Sequence, residues 1–239
     1  MKTTISGQIL ISMWIELICT NIPEAQVIMV NTDGYTTIIP KDKYQLVLDL
    51  SDNFCKSINM SYEANEYKFM ALRDVNNYIA LTSKGKIKHK GCFEIDKELH
   101  KDNSFRIVPI ALENYYIKGI PIEQTLKNHK NILDFCGRIK IDSRFELEFH
   151  SIKYDESNQP YKSIEQLQKV TRYLVTKNGG TIYRKNKGGK LTGINVGYMM
   201  NIYNVNDKII DDFDIDYSFY IRECSKIINS VYDGTLTLF

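Results

Sequence analysis

Within the apolar stretch at residues 27–39, VIMVNTDGYTTII, four polar or small residues intervene: Asn31, Thr32, Asp33 and Gly34. A carboxylate lifted on a tight turn between two strands is the kind of group that takes a divalent cation and, with it, phosphate oxygens. The same residues also satisfy a plain hairpin, because an Asp-Gly pair suits a type I′ turn. Asp33 is therefore either a turn residue or a metal-binding carboxylate, and the elements around it must separate the two.

Two further groups of residues have chemistry in their spacing. Lys84, Lys86, Lys88 and Lys90 alternate with Gly85, Ile87 and His89. On a strand this period sets the lysines on one face about 6.6 Å apart, close to the spacing of successive phosphates along a nucleic-acid strand. A solvated outer face of a hairpin has the same pattern. Between residues 172 and 190 lie six basic residues (Arg172, Lys177, Arg184, Lys185, Lys187 and Lys190), four glycines, Tyr173 and Tyr183, and no acid. A basic hairpin dotted with aromatics suits nucleic acid, and is also what a soluble loop looks like. Asp207, Asp211, Asp212, Asp214 and Asp216 form an acidic block that reads as a solvated linker.

The 239 residues are enough for one large domain or two small ones, with 43% hydrophobic and 25% charged residues, as in soluble globular proteins. A net charge of +2 does not by itself announce a polyanionic partner, so the local clusters matter more. Five scattered cysteines, Cys19, Cys55, Cys92, Cys136 and Cys224, with no C-x-x-C, argue against a disulfide framework or a zinc site. His89, His100, His129 and His150 are equally dispersed. The apolar run at 9–18 is interrupted by Ser12 and Glu16 and is too short to span a membrane. Glu16 and the lack of a small-residue cleavage site also argue against a signal peptide. We expect a buried helix of about three turns there, in a cytoplasmic protein without a membrane partner.

These features must be carried by the following elements. A helical spacing runs through 43–58, and 60–72 reads as extended. A second hairpin pairs 77–82 with 86–95 across Ser83-Lys84-Gly85. A helix follows in FRIVPIALENYYIKG, with Asn103 or Ser104 as N-cap and Gly119 as its stop, and Pro121 opens another that runs on to Phe135. A polar loop at 155–160 precedes a helix-like segment at 163–170, and a third hairpin pairs 172–176 with 181–184. The tail at 216–231 is amphipathic. Strands and helices in this order give an α+β protein.

Four segments in order resemble the second half of family B DNA polymerases, the divergent bacteriophage group in particular. They are SGQILISM, PEAQVIMVNTDGYTTIIP, YKFMALRDVNNYIALTSKGKIKHKGCFEI and LHKDNSFRIVPIALENYYIKGIPIEQTL. In that family a palm hairpin carries Asp-Thr-Asp, whose second Asp binds the catalytic metals. Here it stands as Asn31-Thr32-Asp33, with Asn31 in place of the first carboxylate. The family's basic-Tyr motif near the primer end is matched by Asp74-Val75-Asn76-Asn77-Tyr78, with Asn where lysine is usual, and its Lys-x-Lys-Gly element by Lys88-His89-Lys90-Gly91.

The resemblance implies a partial palm at residues 1–98, with an antiparallel sheet and packed helices. It implies a mostly helical thumb and a small β-hairpin C-terminal region at 99–239. It makes Asp33 catalytic and a ligand of two Mg²⁺ ions, and sets Tyr78, Lys86, Lys88, Lys90, His100 and Lys101 on the primer side. Arg172, Lys177, Arg184, Lys185 and Lys187 become a secondary basic patch. The other metal-binding aspartate, the fingers and the exonuclease have no match in the chain. The implied partners are therefore primer–template DNA, dNTP and an N-terminal polymerase chain, in a host bacterial cytoplasm. Two alternatives remain open: a non-catalytic nucleic-acid-binding module, and a metal-dependent sugar-nucleotide transferase, which Asn31 and the missing nucleotide-binding βαβ unit disfavour.

Overall fold

The computed structural model describes residues 2–97, 104–204, 208–231 and 236–237. The chain divides into two compact units, 1–88 with 232–239, and 89–231. The division falls at Lys88/His89, where the sequence reading sets it after residue 98. Both units mix helices with antiparallel sheet, so the protein is α+β.

The first unit opens with α1 (Lys2–Asn21), followed by β1 (Gln26–Val30), β2 (Tyr35–Ile38) and α2 (Tyr44–Ser57). Helix α1 is twice the expected length and not buried as expected. Ile18 is fully covered, but Ile5, Ile9 and Met13, spaced four apart on one side, are about half exposed. Its other side is anchored by Trp14, which donates from Nε1 to Ser51 Oγ of α2 at 3.0 Å. The Trp14 ring also meets Tyr35, Phe54 and Tyr62 at centroid distances of 5.2, 6.0 and 5.2 Å. One aromatic cluster thus ties α1, the first hairpin, α2 and the segment after it. Then come β3 (Tyr67–Asp74), β4 (Asn77–Thr82) and β5 (Ile87–Lys90), the last straddling the division between units.

The second unit contains α3 (Ile107–Lys118), α4 (Ile122–Asn128) and α5 (Ile132–Phe135), then β6 (Gly137–Lys140), β7 (Phe145–Tyr154) and β8 (Pro160–Leu167). It continues with β9 (Val170–Thr176), β10 (Gly180–Asn186), β11 (Leu191–Gly193), β12 (Met199–Ile202) and α6 (Tyr217–Ile228). Strand β13 (Leu236–Thr237) belongs to the first unit, whose four-stranded sheet has the order β13-β3-β4-β5. Gly119 ends α3 in the left-handed conformation, as expected. Ser104 is not its N-cap: it accepts from Arg138 N at 2.8 Å and so pins the edge of the sheet. Asn103 lies outside the described residues. The helix begun at Pro121 stops at Asn128 and does not run on to Phe135.

The region expected to be mostly helical carries a seven-stranded antiparallel sheet of order β6-β9-β12-β10-β7-β8, with β11 beside β10. The helix-like segment at 163–170 is strand instead. Eight register pairs along β7, from Leu147–Leu167 to Tyr154–Pro160, outweigh the helix propensity of its Glu, Gln and Leu. The third hairpin is also rearranged. Strand β9 pairs with β12 and β6, while β10 pairs along its length with β7 and meets β12 only at Gly180–Met200.

The core of this unit is aromatic. Phe105 lies edge-on to Tyr173, Phe219 and Tyr220. The fully buried Tyr220 hydroxyl donates to Phe135 O at 2.9 Å and accepts from Val175 N at 3.2 Å. Burial and its neighbours push this phenol far above the ordinary tyrosine value. The hydroxyl so links α6 to α5 and to β9.

Candidate functional site

Asp33 sits at the tip of the β1–β2 hairpin. Val30 pairs with Tyr35, and Asn31 N donates to Gly34 O at 2.8 Å. The two-residue loop is therefore Thr32-Asp33, one residue earlier than the expected Asp-Gly turn. Neither Asp33 nor Gly34 has the positive φ that a type I′ turn would demand of them. Gly34 is drawn into the ladder, and the loop leaves Thr32 and Asp33 exposed with Asn31 and Gly34 half-buried. The carboxylate thus projects from two strands with no ion-pair partner among the described residues.

A cleft of about 1240 Å³ runs beside the hairpin, lined among others by Trp14, Asp33, Tyr35, Lys41, Tyr62 and Lys68. Burial pushes the Tyr35 phenol up to about 12, so it stays a neutral donor at the cleft wall.

Tyr78 and Lys88 share the neighbourhood of Asp33. Tyr78, on β4 opposite Leu72, has its phenol raised first by burial, then by Tyr67, with Lys88 pulling it down and Asp33 adding to the rise. Lys88 Nζ donates to Tyr67 Oη at 3.1 Å. Asp33 on the first hairpin, Tyr67 on β3, Tyr78 on β4 and Lys88 on β5 thus all belong to the first unit.

The motif around Tyr78 is built by its own acid. Asp74 Oδ1 accepts from Asn76 N and Asn77 Nδ2, both at 2.9 Å, closing the β3–β4 turn. These bonds, led by Asn77, hold the Asp74 carboxyl below the usual aspartate range. The Asn that stands where the family has lysine therefore serves the turn.

The lysine row is less uniform than its spacing. Lys86 is exposed and closes the turn through its backbone, N to Thr82 Oγ1 at 2.9 Å and O from Thr82 N at 2.9 Å. Lys88 is tied to Tyr67, and Lys90 is half-buried and engaged. His100 and Lys101 lie outside the described residues.

The secondary basic patch is dispersed. Lys177 pairs with Asp214 at 3.1 Å, and the Arg184 guanidinium lies 4.7 Å from the centre of the Phe145 ring. Lys185 Nζ donates to Glu148 Oε1 at 2.8 Å, on the opposite face of β10 from Arg184. Lys187 is exposed in the turn after β10, and Arg172 stands on β9, separated from β10 by β12. The acidic block is not a solvated linker either: Asp216 caps α6 through Ser218 N at 3.1 Å, and Asp212 Oδ2 accepts from Ile209 N at 2.8 Å. Asp207 lies outside the described residues.

Sequence reasoning missed the cluster around Glu148. This carboxylate is almost wholly covered and is held by Lys185 and, at 2.8 Å, by His150 Nε2. Glu148 and His150 stand two apart on a strand, which is the one signal that could have found them. The hydrogen bonds from Lys185 and then His150 hold the Glu148 carboxyl below the usual glutamate range. With a depressed native value the unfolded chain takes up the proton first, so the contribution is complete above the ordinary glutamate range and lost as pH falls below it. We expect the melting temperature to drop more steeply on acidification from about pH 7 to about pH 3 in the wild type than in Glu148→Gln. Parallel thermal scans across that range check it, and equal slopes contradict it.

No protein-family model, curated protein or solved structure matches this chain. No helix among the described residues is long and apolar enough to cross a membrane. Nor does any group of three or more His, Cys, Asp or Glu among them suit a metal ion. Asp33 alone does not fit a two-metal centre, since each hard cation needs several oxygen ligands.

Proposed function

We propose that this chain is the C-terminal part of a family B-like DNA polymerase, completed by an N-terminal chain. The observation that carries the reading is that Asp33, on its exposed loop, and Tyr78 and Lys88, on the adjacent strands β4 and β5, all belong to the first unit. Each belongs to a different one of the motifs that stand in the family's order. Asp33 is lifted on a two-residue loop, unpaired and accessible. The partner chain would supply the other metal-binding aspartate, the fingers and the exonuclease, and Mg²⁺ would be held jointly. Primer–template DNA and dNTP are the proposed substrates.

Primer extension tests this, using the purified chain with and without the protein encoded beside it. The mixture extends a primer, and Asp33→Ala lowers the rate at least about 100-fold, the scale of losing one transition-state charge stabiliser. Its melting temperature stays at the wild-type value, because Asp33 is exposed and makes no ion pair among the described residues. Asn31, standing where the motif has its first carboxylate, favours one other reading, a nucleic-acid-binding module without chemistry. That reading predicts salt-dependent DNA binding and no synthesis from any mixture. No binding at low salt removes both.

A further inference from the structure

With the basic segment 172–190 dispersed, Arg172 is left in a different company. It stands directly opposite Arg138 in the antiparallel register of β9 and β6. Residues so paired share a face with Cβ atoms about 4.5–5.5 Å apart, where like charges repel. Arg138 is half-exposed and Arg172 exposed, and β6 is the edge strand of the sheet.

Both backbones are fixed, Arg138 N to Ser104 Oγ at 2.8 Å and Arg172 N to Asn204 Oδ1 at 2.9 Å. Neither guanidinium has a hydrogen-bond or ion-pair partner among the described residues. The acids nearest in sequence to Arg138 are committed elsewhere, Asp134 to Arg106 and His129, Asp142 to Arg144. Lys140, exposed and two residues along β6, lies on the same face as Arg138 about 6.6 Å away.

We propose that Arg138, Arg172 and Lys140 form a site for the phosphodiester backbone of nucleic acid. An uncompensated like-charge pair on rigid strands weakens the fold unless an anion neutralises it. Guanidinium groups bind phosphate oxygens in pairs of parallel hydrogen bonds. The three cations lie at an open margin of the sheet, Arg138 and Arg172 facing each other across β6 and β9 and Lys140 one step along β6, so they suit a backbone more than one enclosed anion. Such contacts position a strand without reading its bases. The site belongs to the second unit and does not depend on the polymerase reading.

Fluorescence anisotropy with a labelled primer–template, between about 50 and about 200 mM salt, tests the site. Arg138→Ala/Arg172→Ala weakens binding roughly 10-fold at low salt and lowers the slope of log K against log salt by about 2. Its melting temperature stays level or rises, since the repulsion is gone. A charge-matched control, Lys162→Ala/Lys226→Ala, loses clearly less. Wild-type affinity and slope in the double variant overturn the site, as does a loss no larger than the control's. Inorganic phosphate displaces DNA no better than chloride of equal ionic strength; selective displacement that needs both arginines reassigns the pair to free phosphate and overturns the backbone site. Absent synthesis with binding that depends on the arginine pair counts against the polymerase alone.

Discussion

Gly180→Ala lowers the melting temperature of the protein by about 6–12 °C, the equivalent of roughly 3 kcal/mol in a chain of this size. Gly180 is the residue at which β10 meets two strands at once, at Ser151 of β7 and Met200 of β12. A Cβ there would lie 2.3 Å from the His150 carbonyl oxygen and 2.8 Å from two carbons of the Phe149 ring. The first of these is backbone in the middle of the sheet and cannot swing aside, so β7 and β10 must part. Gly179 beside it, at φ 135°, would set a Cβ 2.2 Å from Met200 O, so the pair is the crossing point of three strands. Gly188→Ala is the control: its nearest neighbour would be Asn186 Oδ1 at 3.5 Å, and its change should stay within about 0.5 kcal/mol. Thermal unfolding of the two variants side by side checks the contrast. Equal melting temperatures would show that the sheet yields at Gly180.

Asp134→Ala costs about 3 kcal/mol, the lower end of what removing one partner from a buried ion pair costs. Asp134 is 4% exposed on α5. Its Oδ1 takes Arg106 Nη1 at 3.1 Å, and its Oδ2 lies 2.6 Å from His129 Nε2. The carboxylate therefore joins the start of α3, the end of α4 and α5 through one buried group. Arg106 keeps Asp96 and, at 3.0 Å, Ile95 O when Asp134 is removed, and its side chain is 35% exposed, so the loss stays at the lower end. Asp134→Asn keeps the volume and one acceptor and should lose about half as much. Urea unfolding reads the effect as a lower midpoint with an unchanged slope. A midpoint unmoved in Asp134→Ala would mean that the three helices are held by apolar packing alone.

Much of the local structure was legible in the residues. The turn Ser83-Lys84-Gly85 needs positive φ at Gly85, and Gly119 ends α3, because glycine meets no steric penalty there. The helical spacing at 43–58 became α2, and the amphipathic tail became α6 with Phe219, Tyr220 and Cys224 buried. Errors arose where a partner distant in sequence decides the state. The 163–170 segment is strand because β7 lies beside it, and the first hairpin shifts by one residue because Gly34 is drawn into the ladder. The basic segment 172–190 reads as one patch only while strand pairing is unknown.

By itself the sequence determined the α+β character, the hairpin that carries Asp33, and the lack of a second carboxylate in its motif. These depend on turn chemistry and hydrophobic period, which act over a few residues. Only the tertiary structure decided which charges remain unpaired. It set Lys185 on Glu148 and Lys177 on Asp214, and it left Arg138 facing Arg172 across two strands. The physical reason is that sheet register fixes neighbours more than thirty residues apart. A charge's worth depends on what stands opposite it, and no spacing along the chain records that.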